Sequence, residues 1–338
     1  MACVFLPVLT GVAVTNYVID PGEVYSNRFV DKIIEGNSKN FNVTNTPKNI
    51  NDRAYKTKLC KLYNGKTFDY VILGNSRANS ISSEMFPDSS SILNLWVNSG
   101  KLEDYLSFYE ICKENNIRYK YVVICADPPN LLNENYLDAQ WMALEDYCNI
   151  FLHKEKEFHL DFSRFENLFS LSYFQTALKT ESPEDLKFVA TRVNKGRTIR
   201  TDGSKSYDTK VRNSSVENSD RMAKTEMPSM FNDFDSVSKE RAKIFESLIQ
   251  AIKDEGADVI FFCCPFHPVF YKRVEGLQGL QDGMRYIEDY AMKNNIPMIG
   301  HFNLNDDGYD NKDFIDHFHP RSEYVEKLFK QYFSNRGI

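Results

Sequence analysis

Short apolar runs, each closed by a turn-forming residue, alternate with helical patterns along most of this chain of 338 residues. Residues 68–73 (FDYVIL) end at Gly74, and residues 119–126 (YKYVVICA) end at Asp127, which two prolines follow. Residues 258–264 (DVIFFCC) form a third such run. Continuous runs rich in β-branched and aromatic residues are typical of strands that are buried on both faces. Their alternation with amphipathic helices predicts an α/β fold around a parallel sheet.

The remaining elements continue this alternation of strands and helices. Strands are predicted at 91–96 and 296–299, and helices at 102–115, 239–255, 280–294 and 322–333. The sequence therefore predicts one α/β domain over residues 60–338, with a long insertion at 130–236 after the third strand. The insertion begins with an aromatic-rich, helix-like stretch, and its polar part, 194–235, is expected to be a loop or a cap.

The first nineteen residues (MACVFLPVLTGVAVTNYVI) contain no charged side chain, and Asp20 ends this run. A run of this length is enough to cross a thin hydrocarbon layer as a helix. Pro7 and several polar residues lower its hydrophobicity, and no basic residue precedes it. Three interpretations stay open: an uncleaved membrane anchor, a signal peptide, and a buried element of the core. The anchor is the preferred expectation, with residues 20–59 as a polar lead-in.

Charge and cysteine content exclude some classes of protein. The net charge of −6 argues against a general nucleic-acid-binding protein, which would need a basic surface. The seven cysteines contain no Cys-x-x-Cys pair, so neither a zinc ribbon nor a thioredoxin-like redox motif is indicated. Cys125, Cys263 and Cys264 fall in strand-like runs and are expected to be buried thiols.

The first strand leads directly into Gly74-Asn75-Ser76-Arg77. A serine at this position stands at the carboxyl edge of the sheet, where ligands of open α/β sheets bind. Its own N–H group can face a developing oxyanion. A serine hydroxyl is a weak nucleophile and requires a base, most often a histidine held by a carboxylate. Asp316 and His319 supply such a pair before the last helix, and Gly100 offers a candidate second oxyanion donor.

Other polar residues have two interpretations each. Arg77 either faces an anionic group or caps the turn, and His267 either contacts substrate or bonds to the backbone of its turn. The segment 198–210 (TIRTDGSKSYDTK) is expected near the site, as a solvated loop or as a substrate gate. A further hypothesis is a metal centre, because histidine and carboxylate side chains bind zinc or manganese. Its candidate ligands are His301, Asp313, Asp316, His317 and His319.

Taken together, these motifs resemble the SGNH (GDSL-like) hydrolase superfamily. Its first block is similar to Gly74-Asn75-Ser76, its second-block glycine to Gly100, and its Asp-x-x-His block to residues 316–319. The resemblance is closest to the membrane-anchored SGNH-like proteins of bacterial envelope glycan acylation, in which an apolar N-terminus precedes such a domain. The third block, Gly-x-Asn-Asp, is absent. Asn130, after Asp127-Pro128-Pro129, is the candidate replacement for its oxyanion donor.

The resemblance implies a three-layer α/β sandwich of SGNH or flavodoxin-like type. It further implies an esterase or O-acyltransferase that acts on a cell-envelope polysaccharide, with Ser76, Asp316 and His319 as catalytic residues and without a cofactor. The implied location is extracytoplasmic, at the membrane or cell surface, with a membrane protein as a possible acyl-donor partner. The alternatives are a non-catalytic glycan-binding or assembly protein on the same fold and a metal-dependent hydrolase.

Overall fold

The computed structural model describes residues 2–88, 90–136, 140–155, 163–179, 182–302 and 308–337. Met1 of the predicted anchor and three parts of the predicted insertion, 137–139, 156–162 and 180–181, lie outside the described residues. All catalytic and binding residues predicted from the sequence lie within them.

The strands form two sheets. Their bounds are β1 (Asn42–Thr44), β2 (Thr67–Leu73), β3 (Ile92–Asn94), β4 (Arg118–Cys125), β5 (Lys187–Val189), β6 (Thr198–Ile199), β7 (Lys205–Ser206), β8 (Asp258–Phe262) and β9 (Met298–Ile299). The main sheet has the order β3-β2-β4-β8-β9 and is parallel throughout. The predicted parallel sheet is therefore confirmed.

The helices of the described residues cover this sheet and extend beyond it. Their bounds are α1 (Ala2–Ile19), α2 (Arg28–Ser38), α3 (Asp52–Leu62), α4 (Leu102–Glu114), α5 (Pro128–Leu132), α6 (Glu145–Phe151), α7 (Ser163–Phe169), α8 (Leu171–Ala177), α9 (Thr209–Arg212), α10 (Val216–Thr225), α11 (Lys239–Asp254), α12 (Pro268–Val274), α13 (Gln278–Lys293) and α14 (Ser322–Ser334). The predicted helices at 102–115, 239–255, 280–294 and 322–333 correspond to α4, α11, α13 and α14.

Alternating side chains of the central strands enter two separate cores. Val71 and Val122 pack on one face with residues of α4, α11 and α13, while Ile72 and Val123 pack on the other with residues of α14. Because side chains of a strand point to opposite faces in turn, a strand covered on both sides must be apolar at every position. This requirement explains why the buried parts of the central strands, residues 70–73 of β2 and 122–125 of β4, are continuously apolar. The thiols of Cys125, Cys263 and Cys264 are buried, as predicted.

The strand order places a crevice at the candidate nucleophile. Within the main sheet the first strand in sequence, β2, lies between the second, β3, and the third, β4. The chain therefore leaves β2 toward one side and leaves β4 toward the other. In open α/β sheets such a switch point opens a crevice at the carboxyl ends of the two strands. Ser76 follows β2 at this edge, and Asp127 follows β4.

Residues 20–59 differ from the predicted polar lead-in, because they belong to the domain itself. Phe29 and Ile33 of α2 and Leu59 of α3 are buried in the same core that covers the main sheet. Strand β1 pairs with β5 and β6 of the predicted insertion in a four-stranded antiparallel sheet, β5-β1-β6-β7. The polar composition hid this role, because only one face of each amphipathic helix is apolar.

The chain leaves the main sheet after β4 and returns to it at β8, and the predicted insertion, residues 130–236, lies in this interval. Its polar part is not a structureless loop: it forms β6, β7, α9 and α10. Strand β6 pairs with both β1 and β7, which anchors this segment to the lead-in.

The uncharged N-terminal run forms helix α1 and packs on α7 and α8. The amide of Asn16 donates to the backbone oxygens of Asn167, Leu168 and Ser170, each at 3.0 Å. Val8 and Tyr17 on the same helix are exposed. Among the described residues, no helix combines the length and the apolar character needed to cross a membrane.

Candidate active site

Ser76 stands on a tight turn at the carboxyl end of β2. The turn is a single 3-10 turn, Ser76–Ala78, in which the side chain of Asn75 accepts the N–H group of Arg77 at 2.9 Å. Gly74 is required before this turn, because a Cβ atom there would lie 2.4 Å from the Cβ of Ala78. Asn75 and Arg77 are buried, whereas Ser76 is half-buried and faces open space.

Three side chains form a continuous hydrogen-bonded chain at this turn. The Oγ of Ser76 lies 2.8 Å from Nε2 of His319, although 243 positions separate the two residues. Nδ1 of His319 lies 2.9 Å from Oδ2 of Asp316. The isolated bridge between Phe314 and Pro320 closes the loop that carries Asp316 and His319. The structure therefore brings the three predicted catalytic residues together in the order that a serine nucleophile needs.

The environment of Asp316 keeps its carboxyl group ionised. Burial by itself would raise the pKa of Asp316, but the neighbouring imidazole of His319 and the hydrogen bonds to the carboxylate hold that pKa below its usual range. Two of these bonds come from the backbone N–H groups of Phe318 and His319, each at 2.8 Å. A carboxylate only accepts hydrogen bonds, so in the neutral imidazole Nδ1 is the donor to Asp316 and Nε2 is free to accept the proton of Ser76.

Two cavities meet at Ser76, and Ser99, His317 and His319 line both of them. The first, of about 1150 Å³, is called here the large cleft. Residues that line it include Asp52, Arg53, Ser76, Asn79, Arg197, Lys205, Tyr207, Asp208 and His319. The second, of about 300 Å³, is called the small pocket. It is lined by Asn75, Ser76, Ser99, Asn130, Glu226, Met227, Pro228, Met230, His317, Phe318 and His319.

Gly100 has a different role from the predicted one. Its N–H group donates to the carbonyl oxygen of Val97 at 3.2 Å and is therefore already used within the turn. What Gly100 provides is space, because a Cβ atom there would lie 2.9 Å from the carbonyl oxygen of Gly74 and 3.1 Å from Cα of Asn75. The prediction of Gly100 as the second oxyanion donor is not supported by this hydrogen bond.

Asn130, the predicted replacement donor, lies next to the nucleophile turn. It lines the small pocket together with Ser76, and its Nδ2 group donates to the carbonyl oxygen of Gly100 at 2.8 Å. An amide nitrogen carries two hydrogens, and this bond uses one of them. Oδ1 of Asn130 accepts a hydrogen bond from Asn75 at 3.1 Å, which fixes the orientation of the amide.

Arg77 does not face the cleft. Its side chain is fully buried, and its guanidinium group lies 4.3 Å from the ring centre of Phe266 and 4.5 Å from that of Phe318. One nitrogen lies 3.2 Å from a carboxylate oxygen of Asp127, and another donates to the carbonyl oxygen of Cys264 at 2.6 Å. Arg77 therefore ties the nucleophile turn to the ends of β4 and β8, and its buried side chain lines neither cavity at Ser76, where the anion-binding interpretation would need it.

His267 is also internal, and no part of it is exposed. Its Nδ1 atom accepts the N–H group of Val269 at 3.2 Å and so caps α12, while Nε2 lies 3.2 Å from Asp220. Of its two interpretations, the bond to the turn backbone is the one found, and substrate contact is not. No cluster of histidine, cysteine and carboxylate side chains that could hold a metal ion occurs among the described residues.

Sequence reasoning placed the segment 198–210 near the site but singled out none of its side chains. Lys205 lines the large cleft and is only 5% exposed. Its ammonium group lies 5.1 Å from the ring centre of Trp96 and makes no hydrogen bond or ion pair with any described residue. Burial lowers the pKa of Lys205 to about 8, and Asp52 opposes this shift. The backbone N–H of Lys205 donates to the carbonyl oxygen of Asn79, three residues after Ser76, at 2.7 Å.

Tyr207 is the second residue of this segment at the cleft. Its hydroxyl oxygen accepts a hydrogen bond from the side chain of Asn79 at 2.6 Å and keeps its own proton to donate. The sequence signal for both residues is the Asp202-Gly203 pair, because the φ of Gly203 is +85°, a conformation that favours glycine. A tight turn at this point returns β7 along β6 and presents Lys205 and Tyr207.

No protein-family model matches this sequence. The curated proteins likewise contain no significant match. The function proposed below is supported by the geometry of the site and by the motif resemblance.

Proposed function

We propose that this chain is a serine-dependent acyl-ester enzyme of the SGNH type, either an esterase or an O-acyltransferase. The observation that carries the proposal is the hydrogen-bonded chain from Ser76 through His319 to Asp316 at the open edge of a parallel sheet. Its contacts, 2.8 and 2.9 Å, are within the range expected for a nucleophile, its base and the group that orients the base.

In the first half-reaction, Oγ of Ser76 attacks the carbonyl carbon of the ester, and its proton moves to Nε2 of His319. The carbonyl π electrons move to the oxygen, where Asn130 Nδ2–H and the N–H group of Ser76 are the proposed donors. When the intermediate collapses, the bond between the carbonyl carbon and the alcohol oxygen breaks. His319 returns the proton to the departing alcohol, and the acyl group stays on Ser76.

In the second half-reaction, an incoming hydroxyl group loses its proton to His319 and attacks the acyl carbon. The bond to Ser76 breaks, and His319 gives the proton back to Oγ. Water as the acceptor makes the protein an esterase, whereas a sugar hydroxyl makes it an O-acyltransferase. Asp316 stays ionised throughout and stabilises the imidazolium form of His319.

The large cleft favours a glycan as the alcohol partner. Its wall next to the nucleophile carries the ammonium group of Lys205 and the hydroxyl proton of Tyr207, both available to sugar oxygens. In keeping with the motif resemblance, we propose a cell-envelope polysaccharide as substrate. We also propose an extracytoplasmic location with α1 as the membrane contact, and a membrane protein as acyl donor.

A covalent probe tests the nucleophile directly. We expect a fluorophosphonate to label the wild-type protein and the Ser83→Ala variant, and not to label Ser76→Ala. Ser83 is a matched control, because it is a half-buried serine on the next 3-10 turn and lines neither cavity. Turnover of acyl esters by Ser76→Ala at the wild-type rate would show that the proposed reaction is wrong.

One observation favours a second candidate, a non-catalytic glycan-binding protein. The N–H group of Gly100 is used inside its own turn, so the oxyanion would receive fewer donors than the motif resemblance implies. Each missing donor costs roughly 10²–10³ in rate. If the probe fails to label the protein while glycan binding is retained, this second function replaces the first.

A further inference from the structure

We propose that the small pocket binds the acyl group of the substrate and that Met230 and Met227 set the length of acyl chain it accepts. This inference rests on the proposed function, since it names the group that Ser76 transfers. It assigns the acyl chain to the small pocket and the sugar to the large cleft, the two cavities that Ser76 lines.

The small pocket has a reactive side and an apolar side. Ser76, His319 and Asn130 form the reactive side, where the carbonyl group of an ester would lie between nucleophile and oxyanion donor. Met227, Pro228, Met230 and the ring of Phe318 form the other. A carbonyl carbon within reach of Ser76 then directs its alkyl substituent toward these apolar side chains.

Hydrogen bonds and ring contacts hold the apolar side of the small pocket in place. The amide of Asn133 donates to the carbonyl oxygens of Met230 and Asn232, at 2.9 and 3.2 Å. The ring of Phe318 stands edge-on to the ring of His319, with 5.4 Å between their centres. The buried guanidinium group of Arg77 lies 4.5 Å from the centre of the same Phe318 ring. The shape of the small pocket is therefore fixed by contacts with the surrounding fold.

The two methionines occupy different depths. Met230 is 8% exposed and closes the pocket, whereas Met227 is 43% exposed and stands at its rim. Methionine is unbranched and adapts its shape to a neighbouring chain. Buried apolar surface stabilises a bound alkyl chain by roughly fourfold in affinity for each methylene group. These properties suit a short, linear acyl chain, because along the apolar side chains of the pocket the hydroxyl groups of a sugar ring would lose their hydrogen bonds.

The experiment compares 4-nitrophenyl acetate, butanoate and octanoate as substrates. We expect kcat/KM of the wild-type protein to rise roughly fourfold per methylene group until the pocket is filled. Met230→Trp fills the closed end and should lower the octanoate-to-acetate ratio of kcat/KM by at least about tenfold. Met230→Ala should shift the preference toward the longer chain. Met227→Trp, at the exposed rim, should also lower the octanoate-to-acetate ratio, and it does not alter the core.

Met222→Trp is the matched control, because Met222 lines the large cleft and not the small pocket. Its octanoate-to-acetate ratio should equal that of the wild-type protein. An unchanged ratio in both tryptophan variants of the small pocket, or an equal shift in Met222→Trp, would overturn the inference. Failure of the proposed function is distinct, since it appears as Ser76-independent turnover or as no turnover of any of the three esters.

Discussion

Replacing Asp316 with asparagine exchanges one oxygen atom for an NH₂ group and leaves the backbone contacts of the loop available. Oδ1 of Asp316 accepts the N–H groups of Phe318 and His319, each at 2.8 Å, and the amide oxygen of asparagine can do the same. The amide nitrogen then takes the place of Oδ2, which lies 2.9 Å from Nδ1 of His319. We therefore expect Asp316→Asn to fold and to keep the position of the imidazole ring.

The chemical consequence follows from the direction of the hydrogen bond. An amide nitrogen donates, so the new NH₂ group favours the tautomer in which Nδ1 of His319 accepts and the proton of the neutral ring lies on Nε2. Oδ1, at 3.1 Å from Nδ1, is the longer of the two contacts. Nε2 lies 2.8 Å from Oγ of Ser76 and, once protonated, cannot accept the hydroxyl proton. Loss of the base by this change of tautomer reduces kcat by about 10⁴-fold in serine hydrolases. The expected loss of transition-state stabilisation is about 5 kcal/mol.

The assay is steady-state hydrolysis of 4-nitrophenyl acetate, with thermal unfolding as the check on folding. Asp313→Asn is the control, because Asp313 lies on the same loop and accepts the N–H of Asp310 at 2.9 Å. This control should keep wild-type kcat. The reasoning is refuted if Asp316→Asn retains activity within about tenfold of wild type while Ser76→Ala is inactive.

Three further predictions concern the support of the site and its cleft. Arg77→Met removes the ion-pair partner of the buried Asp127 carboxylate, which among the described residues keeps only its hydrogen bond from Asn75, so urea unfolding should show a loss of about 3–5 kcal/mol. Gly100→Ala places a Cβ 2.9 Å from the carbonyl oxygen of Gly74 and displaces the nucleophile turn. Its kcat for 4-nitrophenyl acetate should fall, with about 1–3 kcal/mol lost in unfolding. For Lys205, whose pKa is about 8, deprotonation at higher pH removes the cation, so KM for a glycan ester should rise as pH increases through this value.

The predictions for Gly100 and Lys205 each have a control variant. Gly276→Ala introduces a Cβ with no atom within 4 Å and should leave both activity and unfolding unchanged. Lys210→Met removes an exposed lysine of the large cleft and should keep the pH dependence of KM, whereas Lys205→Met should raise KM and abolish that dependence. Wild-type stability in Arg77→Met, or pH-independent KM in the wild-type protein, would contradict the corresponding argument.

The secondary structure of the main sheet could be predicted closely from the sequence. Strand β2 was expected over 68–73 and is found at Thr67–Leu73, and helix α4 was expected over 102–115 and is found at Leu102–Glu114. Strands buried on both faces and amphipathic helices leave strong local patterns. The role of residues 20–59 could not be predicted, because the pairing of β1 with β5 joins segments about 145 positions apart.

The residues of the candidate site also divide into those that the sequence predicts and those that it does not. Ser76, Asp316 and His319 were found from short motifs, since each motif carries its own local geometry. Lys205 could not be identified from the sequence, because a buried ammonium group without a hydrogen bond or an ion pair is recognisable only when its surroundings are known. The true positions of Arg77 and His267 were also hidden, since a charged residue in a sequence is equally compatible with a ligand contact and with a buried pair.

What the sequence determined by itself was the local conformation: a parallel α/β sheet, a glycine-led turn that presents Ser76, and a loop that holds Asp316 beside His319. Only the tertiary structure decided that Ser76 and His319 meet at 2.8 Å, that Arg77 ties the nucleophile turn to the neighbouring strand ends, and that the nucleophile lines both the large cleft and the small pocket. The physical reason is the separation along the chain over which each interaction acts. Backbone propensity and hydrophobic periodicity act over a few neighbouring residues, whereas a hydrogen bond across 243 positions depends on how the whole chain packs.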